Sequence, residues 1–180
     1  MSSEDEEEEE EYKKGGYHPV EIGNVFNSKY KVTAKLGWGH FSTVWLASEP
    51  NTERVVALKI VKSAQHYTEA ARDEINILQT LTNEDPTNAS CVIHLVDSFE
   101  ICGVNGYHVA MAFEKLGCNL LTLIRMYKYR GLPVPLVRMM TRQMMIGVEF
   151  LHRCQIIHTD LKPENLLMVR TPNIVKRRGK

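Results

Sequence analysis

A chain of 180 residues can bury one ordinary core, and at 43% hydrophobic and 24% charged residues it has the composition of a soluble globular protein. No apolar run approaches the length of a bilayer span, and the acidic N-terminus does not suit a secretory signal or a basic transit peptide. The net charge of zero hides an asymmetry: Glu4 to Glu11 hold eight of the 22 carboxylates, leaving 22 positive against 14 negative charges in the remainder. Cys91, Cys102, Cys118 and Cys154 show no metal-ligand spacing and read as reduced thiols.

In chain order, residues 1–16 are expected to form a disordered acidic tail, because a block of like charge repels itself. Ser2 and Ser3 beside it could be targets of an acid-seeking kinase, although a solvated tail is the commoner outcome. Gly15-Gly16 and His18-Pro19 make a flexible or extended lead-in. Strands are predicted over Tyr30 to Leu36, Thr43 to Ser48 and Val55 to Val61, with Glu49-Pro50-Asn51-Thr52 as a turn. Ala71, Ile75, Leu78 and Leu81 recur at steps of three and four, which predicts a helix over Thr68 to Leu81. Asp85-Pro86 breaks the chain before two further strands, Val92 to Glu100 and Tyr107 to Phe113. Beyond Lys115 the pattern turns helical, over Asn119 to Tyr129 and Leu136 to Arg153, with the paired Met139-Met140 and Met144-Met145 expected in a core. Lys176-Arg177-Arg178-Gly179-Lys180 is a short basic cluster, which could be a nuclear-import fragment or the start of a linker, the second being preferred. Few aromatics and no interleaved basic stripe argue against direct nucleic-acid binding.

Four stretches carry chemistry. Leu36-Gly37-Trp38-Gly39-His40-Phe41-Ser42-Thr43-Val44 lies between two strands, where glycines let backbone N–H groups approach phosphates, with Ser42 standing where a third glycine is usual. It leads into a strand and not a helix, which excludes a dinucleotide-binding turn. In Val56-Ala57-Leu58-Lys59, alternation buries Val56 and Leu58 on one side and sends Ala57 and Lys59 to the other. A lone lysine at a strand end is usually solvated surface. It gains meaning from Glu74 in the next helix, which we prefer over the adjacent Asp73 as its partner. The third stretch is Phe113-Glu114-Lys115-Leu116, where the chain changes character. The last, His158-Thr159-Asp160-Leu161-Lys162-Pro163-Glu164-Asn165, sets an Asp, a Lys and an Asn at the spacing of phosphoryl transfer: a proton acceptor, a cation for the travelling group and a magnesium ligand.

Occurring in this order and spacing from Tyr30 to Val169, these stretches resemble a eukaryotic protein kinase. The runs Lys35 to Leu46, Val61 to Glu69 and His158-Thr159-Asp160 resemble one branch closely, the kinases of serine/arginine-rich splicing factors. The resemblance implies an α+β fold, with a five-stranded antiparallel small lobe carrying one helix (30–114), followed by the first helices of an α-helical large lobe (115–180). It implies ATP and magnesium, with Leu36, Gly37, Gly39, Ser42, Val44, Ala57 and Lys59 around the nucleotide. Backbone groups of Glu114 and Leu116 would meet the adenine edge, and Phe113 would narrow the back of the pocket. It implies Asp160 as base, Lys162 and Lys59 as charge stabilisers, Glu74 positioning Lys59, and Asn165 on magnesium. Substrates would be serines in Arg-Ser-rich proteins of mRNA splicing, with cytoplasmic and nuclear location.

Two departures qualify this. Most kinases place Arg before the catalytic Asp, where it docks a phosphorylated activation loop. Here the residue is Thr159, too short for that contact, so a complete form is expected to be active without an upstream kinase. No Asp-Phe-Gly or Asp-Leu-Gly follows Asn165. The isolated 180 residues are therefore expected to turn over little or nothing, the alternative being a non-catalytic nucleotide- or partner-binding kinase fragment.

Overall fold

A computed structural model describes residues 7–50, 52 and 54–170. Ser2, Ser3 and the basic cluster 176–180 lie outside the described residues. The chain divides into two compact units, Met1–Lys115 and Leu116–Lys180.

The first unit is an antiparallel sheet of order β1-β2-β3-β4-β6-β5. Its strands are β1 (Val25–Phe26), β2 (Tyr30–Gly39), β3 (Ser42–Ser48), β4 (Val55–Val61), β5 (Leu95–Gly103) and β6 (Gly106–Glu114). The five predicted strands are all present. The sixth, β1, is two residues that pair with Lys31 and Tyr30, too short to give a period-two signal. β2 continues through both glycines to a two-residue turn, His40-Phe41, with a register shift between Lys35 and Gly37. The predicted loop over 37–42 is thus a tight hairpin with an irregular edge. β5 begins three residues later than predicted, and the amide of Leu95 donates to Thr82 Oγ1 at 3.2 Å.

Alternation divides the apolar residues between two faces. Tyr30, Val32, Trp45, Ala47, Val56, Leu58 and Ile60 form one buried cluster with Ile101, Ala110 and Ala112. Val61, Val109, Met111 and Phe113 face the other way and pack with Ala71 and Leu78 of α1 (Gln65–Glu84). The helix runs three residues beyond the predicted range, Thr68 to Leu81, at each end and stops at Asp85-Pro86. There the Asp85 carboxylate accepts from the amides of Ala89 (3.0 Å) and Ser90 (2.8 Å).

Residues 7–16 differ from the expectation of a disordered tail. Glu9–Glu11 form a 3-10 turn, Glu7 and Glu11 pair with Lys35 and Lys62, and the amides of Ser63 and Ala64 donate to Gly16 and Gly15. The repulsion within the run is answered by lysines that the strands present. Gly16 is dictated by a close approach, since a Cβ there would stand 1.9 Å from the Glu11 carbonyl oxygen.

In the second unit, α2 (Leu120–Met126) is capped by Asn119, whose Oδ1 accepts from the Thr122 amide at 2.8 Å. α3 (Val134–Arg153) opens two residues earlier than predicted, because Pro135 is tolerated in a first turn. Its methionines divide: Met140 and Met144 are half-buried, whereas Met139 and Met145, expected in a core, are exposed, and Gly147, Phe150 and Leu151 are the buried residues of the helix.

His18 packs on His108 (ring centroids 4.8 Å apart) and on Phe26 (5.6 Å). Burial and the neighbouring His108 push His18 down to about 4. The unfolded chain, with histidine near 6.5, takes up that proton first. The contribution is therefore complete above pH 6.5 and falls as pH drops toward 4. Between pH 7 and 5 the protein should lose about 1 kcal/mol of stability through this group after solvent screening, a loss reduced in His18→Phe. Denaturant titrations at the two pH values measure it, and equal losses in parent and variant would contradict the assignment.

Candidate active-site elements

Within the first unit, register across four strands aligns the candidate nucleotide residues. Gly37 pairs with Val44, Val44 with Lys59, and Lys59 with Met111. One step along, Leu46 pairs with Ala57 and Ala57 with Phe113. Directly opposed residues share a face, so Val44, Ala57, Lys59 and Phe113 stand on the face that packs with α1. The opposite face buries Val56 and Leu58 completely. Leu36 is exposed at the sheet edge, and a Cβ added at Gly37 or Gly39 would meet nothing within 4 Å. That open space is what a phosphate approaching the backbone needs. Ser42 differs from its predicted place in a loop: it is buried at the start of β3 and pairs with Val61.

Lys59 Nζ meets both carboxylate oxygens of Glu74, at 2.7 and 2.8 Å. Asp73, the competing carboxylate, is exposed. The pair ties the middle of the sheet to α1, and it is half-exposed, with 26% of the Lys59 and 41% of the Glu74 side chain accessible. An ion pair so placed is worth at most about 1 kcal/mol, so its consequence is geometric: it fixes where the ammonium points.

The second unit assembles Asp160, Lys162 and Asn165. α3 ends in a Schellman arrangement without glycine: Gln155 takes φ +61°, its amide donates to His152, and the Ile156 amide donates to Leu151. This turns the chain into the loop at 156–162. The loop's exit is anchored by Gly117 N to Met168 O (2.7 Å), Met168 N to Cys118 O (3.0 Å) and Leu120 N to Leu166 O (2.8 Å). Between these fixed ends, Lys162 Nζ lies 2.8 Å from Asp160 Oδ2. The Asn165 amide nitrogen donates to the carbonyl and to Oδ2 of Asp160, both at 2.9 Å. The Lys162 ammonium holds the Asp160 carboxyl below the usual carboxylate range, aided by Asn165, and Asp160 in turn raises Lys162. An ionised carboxylate at neutral pH can accept a hydroxyl proton, and spending the amide nitrogen of Asn165 on Asp160 leaves its amide oxygen to face a cation.

No group of three or more His, Cys, Asp or Glu among the described residues could hold a metal ion. Magnesium is commonly held by one or two carboxylates together with substrate phosphates, and the hard oxygen donors that this loop offers are the Asn165 amide oxygen and the Asp160 carboxylate. No helix among the described residues is long and apolar enough to cross a membrane.

The protein kinase domain family matches residues 30–176. A serine/threonine-protein kinase SRPK of Physarum polycephalum is 60% identical over 159 residues, which is 87% of this chain and 37% of the relative. SRSF protein kinase 3 of Homo sapiens is 53% identical over 168 residues, 92% of this chain and 30% of the relative. Protein kinase dsk1 of Schizosaccharomyces pombe is 53% identical over 161 residues, 87% of this chain and 30% of the relative. The chain belongs to the protein kinase domain family. It spans about a third of the length of these relatives.

Sequence reasoning missed one feature of the loop. Thr159 takes φ +62°, a left-handed conformation that is rare for a β-branched residue. Nothing in the residue type announces it. Asn tolerates this region, so Thr159→Asn should raise stability by about 0.5–1 kcal/mol. A lower unfolding midpoint in this variant would contradict the strain.

Proposed function

We propose that the chain is the nucleotide-binding and catalytic-loop part of a protein serine kinase that transfers the ATP γ-phosphoryl group to serines in Arg-Ser-rich splicing proteins. The observation that carries the reading is the Lys59–Glu74 pair at 2.7 and 2.8 Å, because the bland account of a strand-end lysine is a solvated side chain without a fixed partner. The names of the SRPK and SRSF protein kinase relatives support the substrate class.

In this reading Lys59, aimed by Glu74, pairs with the α- and β-phosphates, and the open backbone at Gly37 and Gly39 covers them. Val44 and Ala57 offer a flat apolar floor for the base, while backbone groups of Glu114 and Leu116 bind its edge. Magnesium, when bound, screens the phosphate charge, with Asn165 among its ligands. Asp160 accepts the proton of the serine hydroxyl, and Lys162 shifts from Asp160 to the equatorial oxygens of the travelling group. The cytoplasm and the nucleus, where splicing proteins are made and used, are the proposed locations.

ATP with magnesium at about a hundred times its Kd should stabilise the chain by about 2.7 kcal/mol, an effect lost in Lys59→Met. Thermal unfolding with and without nucleotide measures this. Phosphorylation of an Arg-Ser peptide, by any form that turns over, should vanish in Asp160→Ala. Nucleotide binding without peptide phosphorylation in a form carrying a complete kinase domain would favour the binding-module reading.

A further inference from the structure

The segment before the sheet is joined to the glycine hairpin and to the start of α1 through one buried lysine. Lys62, 4% exposed, follows β4 immediately. Its ammonium pairs with Glu11, lies 4.3 Å from the Tyr17 ring centroid and 6.0 Å from that of Tyr67, and its amide donates to the carbonyl of Phe41 at 3.0 Å. Tyr17, 3% exposed, donates its hydroxyl to the carbonyl of Gly39 at 2.7 Å. Tyr67, in the first turn of α1, reaches the other side of the same turn: its hydroxyl is 3.2 Å from His40 Nε2, and its ring packs on Phe41 with centroids 5.5 Å apart. Gly15 and Gly16 close the arrangement by accepting from the amides of Ala64 and Ser63 just ahead of α1.

A two-residue hairpin tip carrying exposed Phe41, with nothing near the Cβ positions of Gly37 and Gly39, has few contacts of its own to hold it. Its carbonyls at Gly39 and Phe41 are instead held by Tyr17 and by the backbone of Lys62. The charge of Lys62 is opposed by burial and upheld by Glu11, and its ammonium lies over the aromatic face of Tyr17. We propose that Tyr17 and Lys62 are positioning residues, which clamp the glycine hairpin to the start of α1 so that the loop over the phosphates and the helix carrying Glu74 move as one body. The functional consequence rests on the kinase reading above; the clamp itself does not.

The test compares the 180-residue chain with Tyr17→Phe, Lys62→Gln and Lys62→Arg, by hydrogen exchange and by ATP titration with magnesium. Tyr17→Phe removes one hydroxyl and keeps the ring under the ammonium. Exchange over residues 37–44 should quicken about fivefold, the weight of one ordinary hydrogen bond, with no larger change over residues 95–114 and a melting temperature lowered by only a few degrees. Lys62→Gln should have the same local effect, and Lys62→Arg should restore parent behaviour. Where the parent binds ATP, the Kd of Tyr17→Phe should rise by a similar factor. Unchanged exchange over 37–44 overturns the clamp, and faster exchange with unchanged ATP affinity overturns the positioning role. A parent chain without ATP affinity counts against the kinase reading alone, and the clamp is then judged by exchange.

Discussion

The Lys59 ammonium stands on a sheet face between Val44 and Met111, with Ala57 and Phe113 one step away. An ammonium placed among such neighbours is held by a partner or swings out to water. Glu74 is that partner, and it comes from the helix that the same face buries through Ala71 and Leu78. Helix packing and ion pairing therefore depend on a single register: sliding β4 by one residue would bury Lys59 and expose Leu58. Because the pair itself is worth at most about 1 kcal/mol, the core does not exist to support it through energy; the core supports it through placement.

The second unit places its charges by another route. Asp160, Lys162 and Asn165 are exposed, and no core fixes them. Their positions follow from the glycine-free end of α3, from the left-handed Thr159 and from the backbone bonds that join 117–120 to 166–168. Backbone strain at Thr159, of order 1–3 kcal/mol for such residues, sits directly before Asp160.

Both kinds of placement bear on how much the sequence discloses. Period-two and period-3.6 patterns predicted β2, β3, β4, β6 and all three helices because burial on one face writes directly into residue type. The Glu74 assignment was legible for the same reason, since its place beside Ile75 sets the side of the helix it leaves. The seat of residues 7–16 was not legible. A run of acids resembles a solvated tail unless Lys35 and Lys62, far along the chain, are known to face it. The tight turn at His40-Phe41 and the exposure of Met139 and Met145 were missed as well. Turn geometry there depends on contacts from Tyr17 and Tyr67, and apolar spacing on a helix does not say whether another element covers it. Thr159 gave no signal, because strain is a property of the backbone path and not of the residue.

In the proposed function Lys59 and Glu74 act on nucleotide as one unit. A double-mutant cycle with Lys59→Met and Glu74→Gln, read out as the affinity of the chain for ATP with magnesium, tests it most directly. Either change alone should cost nearly as much as both together, with a coupling of about 1–2 kcal/mol. Fully additive losses would mean that Glu74 does not position Lys59, and the contact between β4 and α1 would be structural only.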